Sequence, residues 1–449
     1  MNVLLVSANR LKAPYVVYPL GLDYVMQAIE DRHQVRVVDL NASGDDTLLG
    51  EMIKEIPPDI VGLSIRNIDN TDAIDSRGFA GQHQDLVRLI RSHTAAPIVL
   101  GGSGFTIFPA ELMALLEADY GIIGEGERLA ALLEAIEKGR DPAGLPGVIL
   151  PGQAADLPEP LDTPVGRTLN GSPAVTDYYV RHGGMLNLQS KRGCPFRCIY
   201  CTYPHIEGRS MRLIPPGEVA ATALALQKAG ARYLFITDSA FNADYAHSRA
   251  VAEAFRDAGL SIPWGAFFAP TRPPGDYFVR LAQAGLSHVE FGTEAMADTV
   301  LKAYRKPFRV ADIRVAHRAA QAAGVHCAHY LLLGGPGETW ATLAETLSNI
   351  DKLRNTVVFF FCGMRIYPHT ALYRLAVAQG VIAPDADLLK PVFYRSEDLD
   401  EDIILEKVRQ AAGGRANWLF GAGGEETEKI LARLHRSGFT GPLWEFLIR

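Results

Sequence analysis

Short apolar runs alternate with helix-length amphipathic stretches along most of this 449-residue chain, which confines it to the α/β class. In the first third the runs are Asn2–Val6, Val35–Val38, Ile60–Ile65, Ile98–Leu100 and Tyr120–Ile123, with helical patterns between them at Gly21–Ile29, His83–Ser92 and Pro109–Leu116. Near-continuous apolar strands suit a parallel, doubly wound, Rossmann-like sheet covered on both faces. Such sheets bind ligands beyond the carboxyl ends of their strands. Here those ends carry YPLG (Tyr18–Gly21), SIRNIDN (Ser64–Asn70), GGSGFT (Gly101–Thr106) and GEGE (Gly124–Glu127). A single glycine turn can be no more than a turn; four together argue for a ligand.

A Pro/Gly-rich passage, Gly139 to Pro173, interrupts the periodicity and reads as a linker. The alternation then resumes with six strand candidates, Leu186–Ser190, Tyr233–Thr237, Trp264–Phe268, Ser287–Gly292, Val325–Leu333 and Val357–Met364. Helical patterns such as Gly217–Lys228, Ser248–Ala258, Val310–Ala323 and Thr339–Lys352 separate them. Six β/α units predict a partial barrel with its chemistry at the carboxyl mouth of the strands. Beyond Gly380 an acidic, loop-like stretch and two helical patterns, Asp402–Ala412 and Glu425–Ser437, read as a small cap.

Three of the five cysteines fall within eight residues, in SKRGCPFRCIYCTYPHIEGR (Ser190–Arg209), just after the first barrel strand. MNVLLVSANR does not read as a signal peptide, and no apolar run approaches the roughly 20 residues of a membrane-spanning helix. The expected compartment is therefore the cytoplasm, where clustered cysteines bind metal or do redox chemistry more often than they form disulfides. A net charge of −7 with interspersed signs predicts no nucleic-acid partner. Cys194, Cys198 and Cys201 are spaced C-x3-C-x2-C, and an electron-transfer [4Fe–4S] cluster takes four cysteines, so three leave one iron open. Zinc is the alternative, but it takes four ligands and only His205 lies close by. Cys327 and Cys362, inside apolar runs, read as buried small hydrophobes.

The triad, with Tyr200 just before its last cysteine, resembles the signature of the radical S-adenosylmethionine (SAM) enzymes. The likeness extends to TDSAFN (Thr237–Asn242), FGTEAM (Phe291–Met296), LLLGGPGET (Leu331–Thr339) and MRIYPHT (Met364–Thr370), and with GGSGFT and GEGE upstream the chain looks like the cobalamin-binding subgroup of that family. The resemblance implies an N-terminal Rossmann-like cobalamin-binding domain (1–138), a linker (139–180), a partial (β/α)6 radical SAM barrel (181–380) and a mostly helical C-terminal cap (381–449). It implies that Cys194, Cys198 and Cys201 hold a [4Fe–4S] cluster whose fourth iron binds SAM. Tyr200, Thr237, Asp238, Ser239, Glu294, Gly334, Gly335 and Arg365 are the residues expected to meet SAM. Cobalamin is expected at Tyr18, Gly21, Ser64, Arg66, Asn67, Gly101, Gly102, Ser103, Thr106, Gly124 and Glu125.

The cobalamin motif Asp-x-His-x-x-Gly is absent from SANRLKAPYVVYPLG, so no histidine is expected on cobalt. A guanidinium cannot coordinate a metal, and Arg66 is expected beneath the corrin; the competing reading pairs it with Asp69. Tyr203, Tyr330, Tyr367 and Tyr394 are either pocket-lining or core aromatics. The implied activity is methyl transfer to an unactivated carbon of a small-molecule or lipid-like substrate, by a 5′-deoxyadenosyl radical and methylcobalamin, with an external electron donor such as flavodoxin or ferredoxin. Cobalamin-dependent rearrangement or cyclisation is the alternative within enzymes. A non-catalytic cluster- or corrin-binding sensor is the alternative outside them.

Overall fold

The structure is a computed structural model that describes residues 1–449 except 13–14, 45, 154–155, 163–165, 168–172, 422–423 and 449, and leaves out the side chains of 173 and 424–428 as well. The N-terminal sheet contains β1 (Asn2–Ser7), β2 (Gln34–Asp39), β3 (Ile60–Ser64), β4 (Ile98–Gly101), β5 (Tyr120–Ile122) and β6 (Val148–Ile149), in the order β2-β1-β3-β4-β5-β6. The first five are parallel and β6 closes the edge antiparallel to β5. Val3, Leu4, Leu5 and Val6 of β1 are all at most 1% exposed, the burial on both faces that their unbroken apolar run requires. The strand order reverses between β1 and β3, and that crevice is where an open sheet of this kind takes its ligand. Because β6 lies inside the stretch read as linker, the N-terminal unit extends past residue 138.

The second sheet contains β7 (Met185–Leu188), β10 (Tyr233–Ile236), β11 (Trp264–Phe268), β12 (Leu286–Glu294), β13 (His326–Leu333), β14 (Thr356–Cys362) and β17 (Trp418–Phe420), each parallel to its neighbour. Two short antiparallel ribbons complete the inventory, β8 (Lys191–Arg192) with β9 (Arg212–Leu213) and β15 (Met364–Arg365) with β16 (Phe393–Tyr394). The six expected barrel strands are present, and the C-terminal region, mostly helical as expected with helices at Glu401–Ala412 and Gly424–Arg436, adds a seventh by returning β17 to β14. Three residues, WLF, between Gly413-Gly414 and Gly421, are too few to show a period.

The segment from Tyr15 to Leu20, which follows β1, packs on the barrel rather than on its own sheet. Val16 and Tyr18 join the barrel core with Tyr179, Leu188 and Phe241, and Tyr18 meets Tyr179 edge to face at 5.4 Å. At the other end of the chain, Trp444 enters the base of the barrel and donates from Nε1 to Glu290 at 3.2 Å. Glu445 faces His288 at 3.0 Å. No helix among the described residues is long and apolar enough to cross a membrane.

Candidate functional site between the two sheets

A cavity of about 470 Å³ lies where the carboxyl ends of the two sheets face each other. Its N-terminal wall contains Ser7, Tyr18, Gly21, Ser64, Arg66, Gly101, Gly102, Ser103, Gly124 and Glu125; the barrel supplies Asn187, Gln189, Phe235, Thr237, Phe267 and Tyr203. A Cβ on Gly21 would touch nothing within 4 Å and one on Gly101 nothing closer than 3.9 Å, so the missing side chains leave the wall clear. Gly102 has a different reason: its φ is +99° and a Cβ there would meet the Ile65 carbonyl oxygen at 2.6 Å. That close approach lets the turn after β4 hold the loop after β3, with Gly104 N–H donating to Ile65 O at 2.9 Å and Ser103 Oγ to Arg66 O at 3.1 Å.

Arg66 therefore sits on a rigid backbone while its side chain stands free in the cavity. Burial pushes its guanidinium pKa down, while Tyr203, Tyr179, Tyr15 and Asp39 nearby favour the charge. Among the described residues it makes no ion pair. Asp69, its partner in the competing reading, is taken by Arg365 at 2.8 Å.

Several of the side chains expected at the cofactors have partners within the protein. Asp238 is wholly buried and accepts from the N–H of Ser190 at 2.9 Å and its Oγ at 2.5 Å, tying β10 to the end of β7 instead of facing the cavity. Arg365 is spent on Asp69 and on the carbonyls of Ile366 and Leu388. Gly334 donates to the Glu338 carboxylate and Gly335 abuts the Tyr304 hydroxyl, where a Cβ would come to 2.2 Å. Thr106 is buried, donating to Gly102 O and accepting from Gly124 N–H, and Asn67 lies outside the cavity with its carbonyl on His83. Ser239 is also off the cavity wall, yet its Oγ is buried without a partner. Of the four tyrosines, only Tyr203 lines the cavity; Tyr330 stacks on Phe359, Tyr367 reaches Asp69 and Tyr394 donates to Gln379.

The three thiols lie close enough that burial and mutual repulsion push Cys201 up to about 12 and raise Cys198. A bound metal is what makes such groups thiolates. Among the described residues no three His, Cys, Asp or Glu side chains converge on a single metal ion. Three cysteines on one loop suit a cluster in which each holds a different iron better than zinc, which takes four ligands. Beside the triad, Glu294, at φ +56°, accepts from Tyr200 Oη at 2.6 Å and faces Lys306 Nζ at 3.0 Å. Lys306, which carries no motif, is a participant that sequence reasoning missed.

The chain matches the model of the radical SAM superfamily over residues 188–350 and that of the B12-binding domain over residues 6–134. It belongs to the B12-dependent radical SAM enzymes. Within them it is 26% identical to the tryptophan 2-C-methyltransferase of Streptomyces laurentii, over 92% of this chain and 80% of that one. With the cytidylyl-2-hydroxyethylphosphonate methyltransferase of Streptomyces wedmorensis it shares 22% identity, over 85% and 82%. Its fold superposes on the radical SAM methyltransferase TsrM from Kitasatospora setae with a TM-score of 0.88, at 25% identity and covering 99% and 97% of the two chains. That enzyme has been solved with cobalamin and a [4Fe–4S] cluster, and with tryptophan and a SAM analogue. For a B12-dependent radical SAM enzyme the glycine-lined end of the first sheet and the three cysteines of the barrel loop are the features that would hold the cofactors.

Proposed function

We propose that this enzyme transfers a methyl group, taken from SAM and carried on bound cobalamin, to a carbon of a small aromatic, amino-acid-like substrate. The observation that carries the reading is the shared cavity: a corrin seated on the glycine turns of the first sheet and a substrate lying in the barrel would face each other across it. Tyr15, Phe235 and Phe267 form an aromatic cluster on the barrel side, with ring centroids 6.5 and 4.9 Å apart, while Asn187 and Gln189 supply amide groups. Aromatic walls of this kind take planar rings. The near full-length similarity to a tryptophan methyltransferase supports the same substrate class.

Bound here, cobalamin supplies a transferable methyl group and the cluster supplies single electrons. The chain's part is to position and to exclude water. Cys194, Cys198 and Cys201 would hold the cluster, Glu294 and Tyr200 stand ready for the polar end of SAM, and Thr237 faces the cavity at the end of β10. Arg66 would face the cobalt and, having no lone pair, leave it without a protein ligand. A reducing compartment such as the cytoplasm, and an external electron donor, belong to the same reading.

The test is anaerobic reconstitution with both cofactors, followed by incubation with tryptophan, other aromatic amino acids or indoles and SAM labelled at its methyl group. The expected product carries one labelled methyl. A product without the label would move the enzyme to rearrangement or cyclisation, and no product from any aromatic substrate would remove the substrate class. The ratio of 5′-deoxyadenosine to S-adenosylhomocysteine then distinguishes hydrogen abstraction from direct transfer.

Arg66 gives a second expected result. Arg66→Lys binds cobalamin and slows methyl transfer by roughly 10–100-fold, the range for residues that tune a metal from beyond its ligand shell. Arg66→His places an imidazole where a metal ligand is otherwise absent, and the visible spectrum of the bound corrin shifts. Unchanged spectra and unchanged rates in both variants would assign Arg66 a purely structural role.

A further inference from the structure

The Cys194–Arg209 loop is a wall with two faces. Tyr203, Ile206 and Glu207 look into the central cavity, whereas Cys198, Cys201 and Arg209 line a separate cleft of about 320 Å³ on the other side. Four arginines surround that cleft, Arg197, Arg209, Arg305 and Arg374, and all four are solvent-exposed. Among the described residues no aspartate or glutamate lines it, in a chain whose net charge is −7. Among the described residues none of the four arginine side chains has an ion-pair or hydrogen-bond partner, although most other arginines of this protein do. Arg305 is held at φ +57°, an uncommon conformation for a non-glycine residue, directly before the Lys306 that faces Glu294.

Four cations of one sign repel each other, and no contact among the described residues compensates them. Their placement has a chemical sense: the cleft reaches two of the three cysteines assigned to the cluster from outside, on the face turned away from the substrate cavity. We propose that this arginine-rimmed cleft is the docking surface for an acidic, low-potential one-electron carrier protein. The inference rests on the cluster assignment above. In the docked complex the reduced carrier loses one electron and the cluster held by the triad gains it; no bond forms or breaks and no proton moves. A ring of positive charge would steer an acidic partner to this face and set its orientation, an effect that weakens as salt screens it. The negative remainder of the surface would repel the same partner elsewhere.

The experiment uses the full chain with its cluster reconstituted and a bacterial flavodoxin of strongly acidic surface as the probe. Binding by biolayer interferometry is expected to weaken roughly tenfold or more between about 0.05 and about 0.5 M salt. The double variants Arg197→Glu/Arg374→Glu and, more conservatively, Arg197→Gln/Arg374→Gln are expected to lose affinity in that order, at unchanged iron content. Bleaching of the cluster by reduced flavodoxin slows by the same factor, while bleaching by titanium(III) citrate keeps its rate. Salt-independent binding, or flavodoxin-driven bleaching at the wild-type rate in both variants, would overturn the proposal. Flavodoxin failing to bind while a short RNA binds with the same arginine dependence would overturn it in favour of a nucleic-acid surface. Failure of the cluster assignment is distinguishable from these results, because then neither reductant would bleach the protein.

Discussion

Replacing Cys194, Cys198 and Cys201 together with alanine is expected to leave a folded protein that binds cobalamin but carries no iron–sulfur cluster and no methyl-transfer activity. The loop has other anchors: Cys194 N–H donates to Gly208 O at 3.1 Å and Ile199 N–H to Tyr304 O at 3.2 Å, so its backbone course does not depend on the thiols. The corrin wall is built from the first sheet, beyond β1, β3, β4 and β5, and contains none of the three cysteines. Iron-dependent absorption and the EPR signal of the reduced cluster should both vanish, while the spectrum of added cobalamin still reports binding. A persisting [4Fe–4S] EPR signal would reject the triad as the ligand set. Cys327→Ala and Cys362→Ala provide the contrast. Both thiols are buried within strands, and burial pushes Cys362 up to about 12 and Cys327 strongly upward, as for inert core groups. Each should cost about 1 kcal/mol of stability and leave the cluster unchanged.

Arg192→Met is expected to produce the largest loss of stability of any single substitution at the junction of the two sheets. Arg192 follows β7 by four residues and donates to Glu125 at 2.7 Å and Glu127 at 2.6 Å, two carboxylates of the turn after β5. Its guanidinium also lies 4.5 Å from the centre of the Tyr24 ring. Glu125 accepts further from Arg212 at 2.7 Å and from the N–H of Leu161 at 2.6 Å. Burial alone would raise the Glu125 pKa, but these donors outweigh it and hold the carboxyl below its usual range. Removing Arg192 leaves buried carboxylate charge without its main partner, a loss of about 3–5 kcal/mol. Thermal or denaturant unfolding measures it, and cobalamin affinity should fall in parallel, since the same turn lines the cavity. The double variant Arg192→Met/Glu127→Gln, which leaves Glu125 paired with Arg212 and removes the carboxylate that lost its partner, should recover much of the loss. A melting curve equal to that of the unaltered protein would assign the junction to Arg212 and packing instead.

Arg192 also illustrates where reading by motif stops. It lies two residues before Cys194, in KRGC, and without the structure it reads as the flank of a cluster loop. Only the fold brings residues 125, 192 and 212 to one point, and no local periodicity encodes such a meeting. Glu125 was expected at cobalamin; it does line the cavity, but its carboxylate is committed to two arginines.

The sequence by itself determined the α/β class, the course of the first five strands of one sheet and of six strands of the other, and the glycine turns and thiols at their carboxyl ends. These properties are local: burial on both faces demands unbroken apolar runs, turns at strand ends demand glycine, and a cluster demands thiols at fixed spacing. The thiol triad and the glycine turns at Gly21, Gly101 and Gly124 were legible for that reason. Tertiary structure alone decided which polar side chains at those ends are free and which are consumed. Asp238, Thr106 and Arg365 have the right chemistry at plausible positions, yet Ser190, Gly102 and Asp69 satisfy them, because a buried polar group takes the partner that packing places nearest. Arg66 went the other way: with Asp69 held 296 positions along the chain by Arg365, its charge was left to the cavity. The seventh barrel strand followed the same logic, since a three-residue WLF has no period of its own and becomes a strand only because β14 presents an unpaired edge to it.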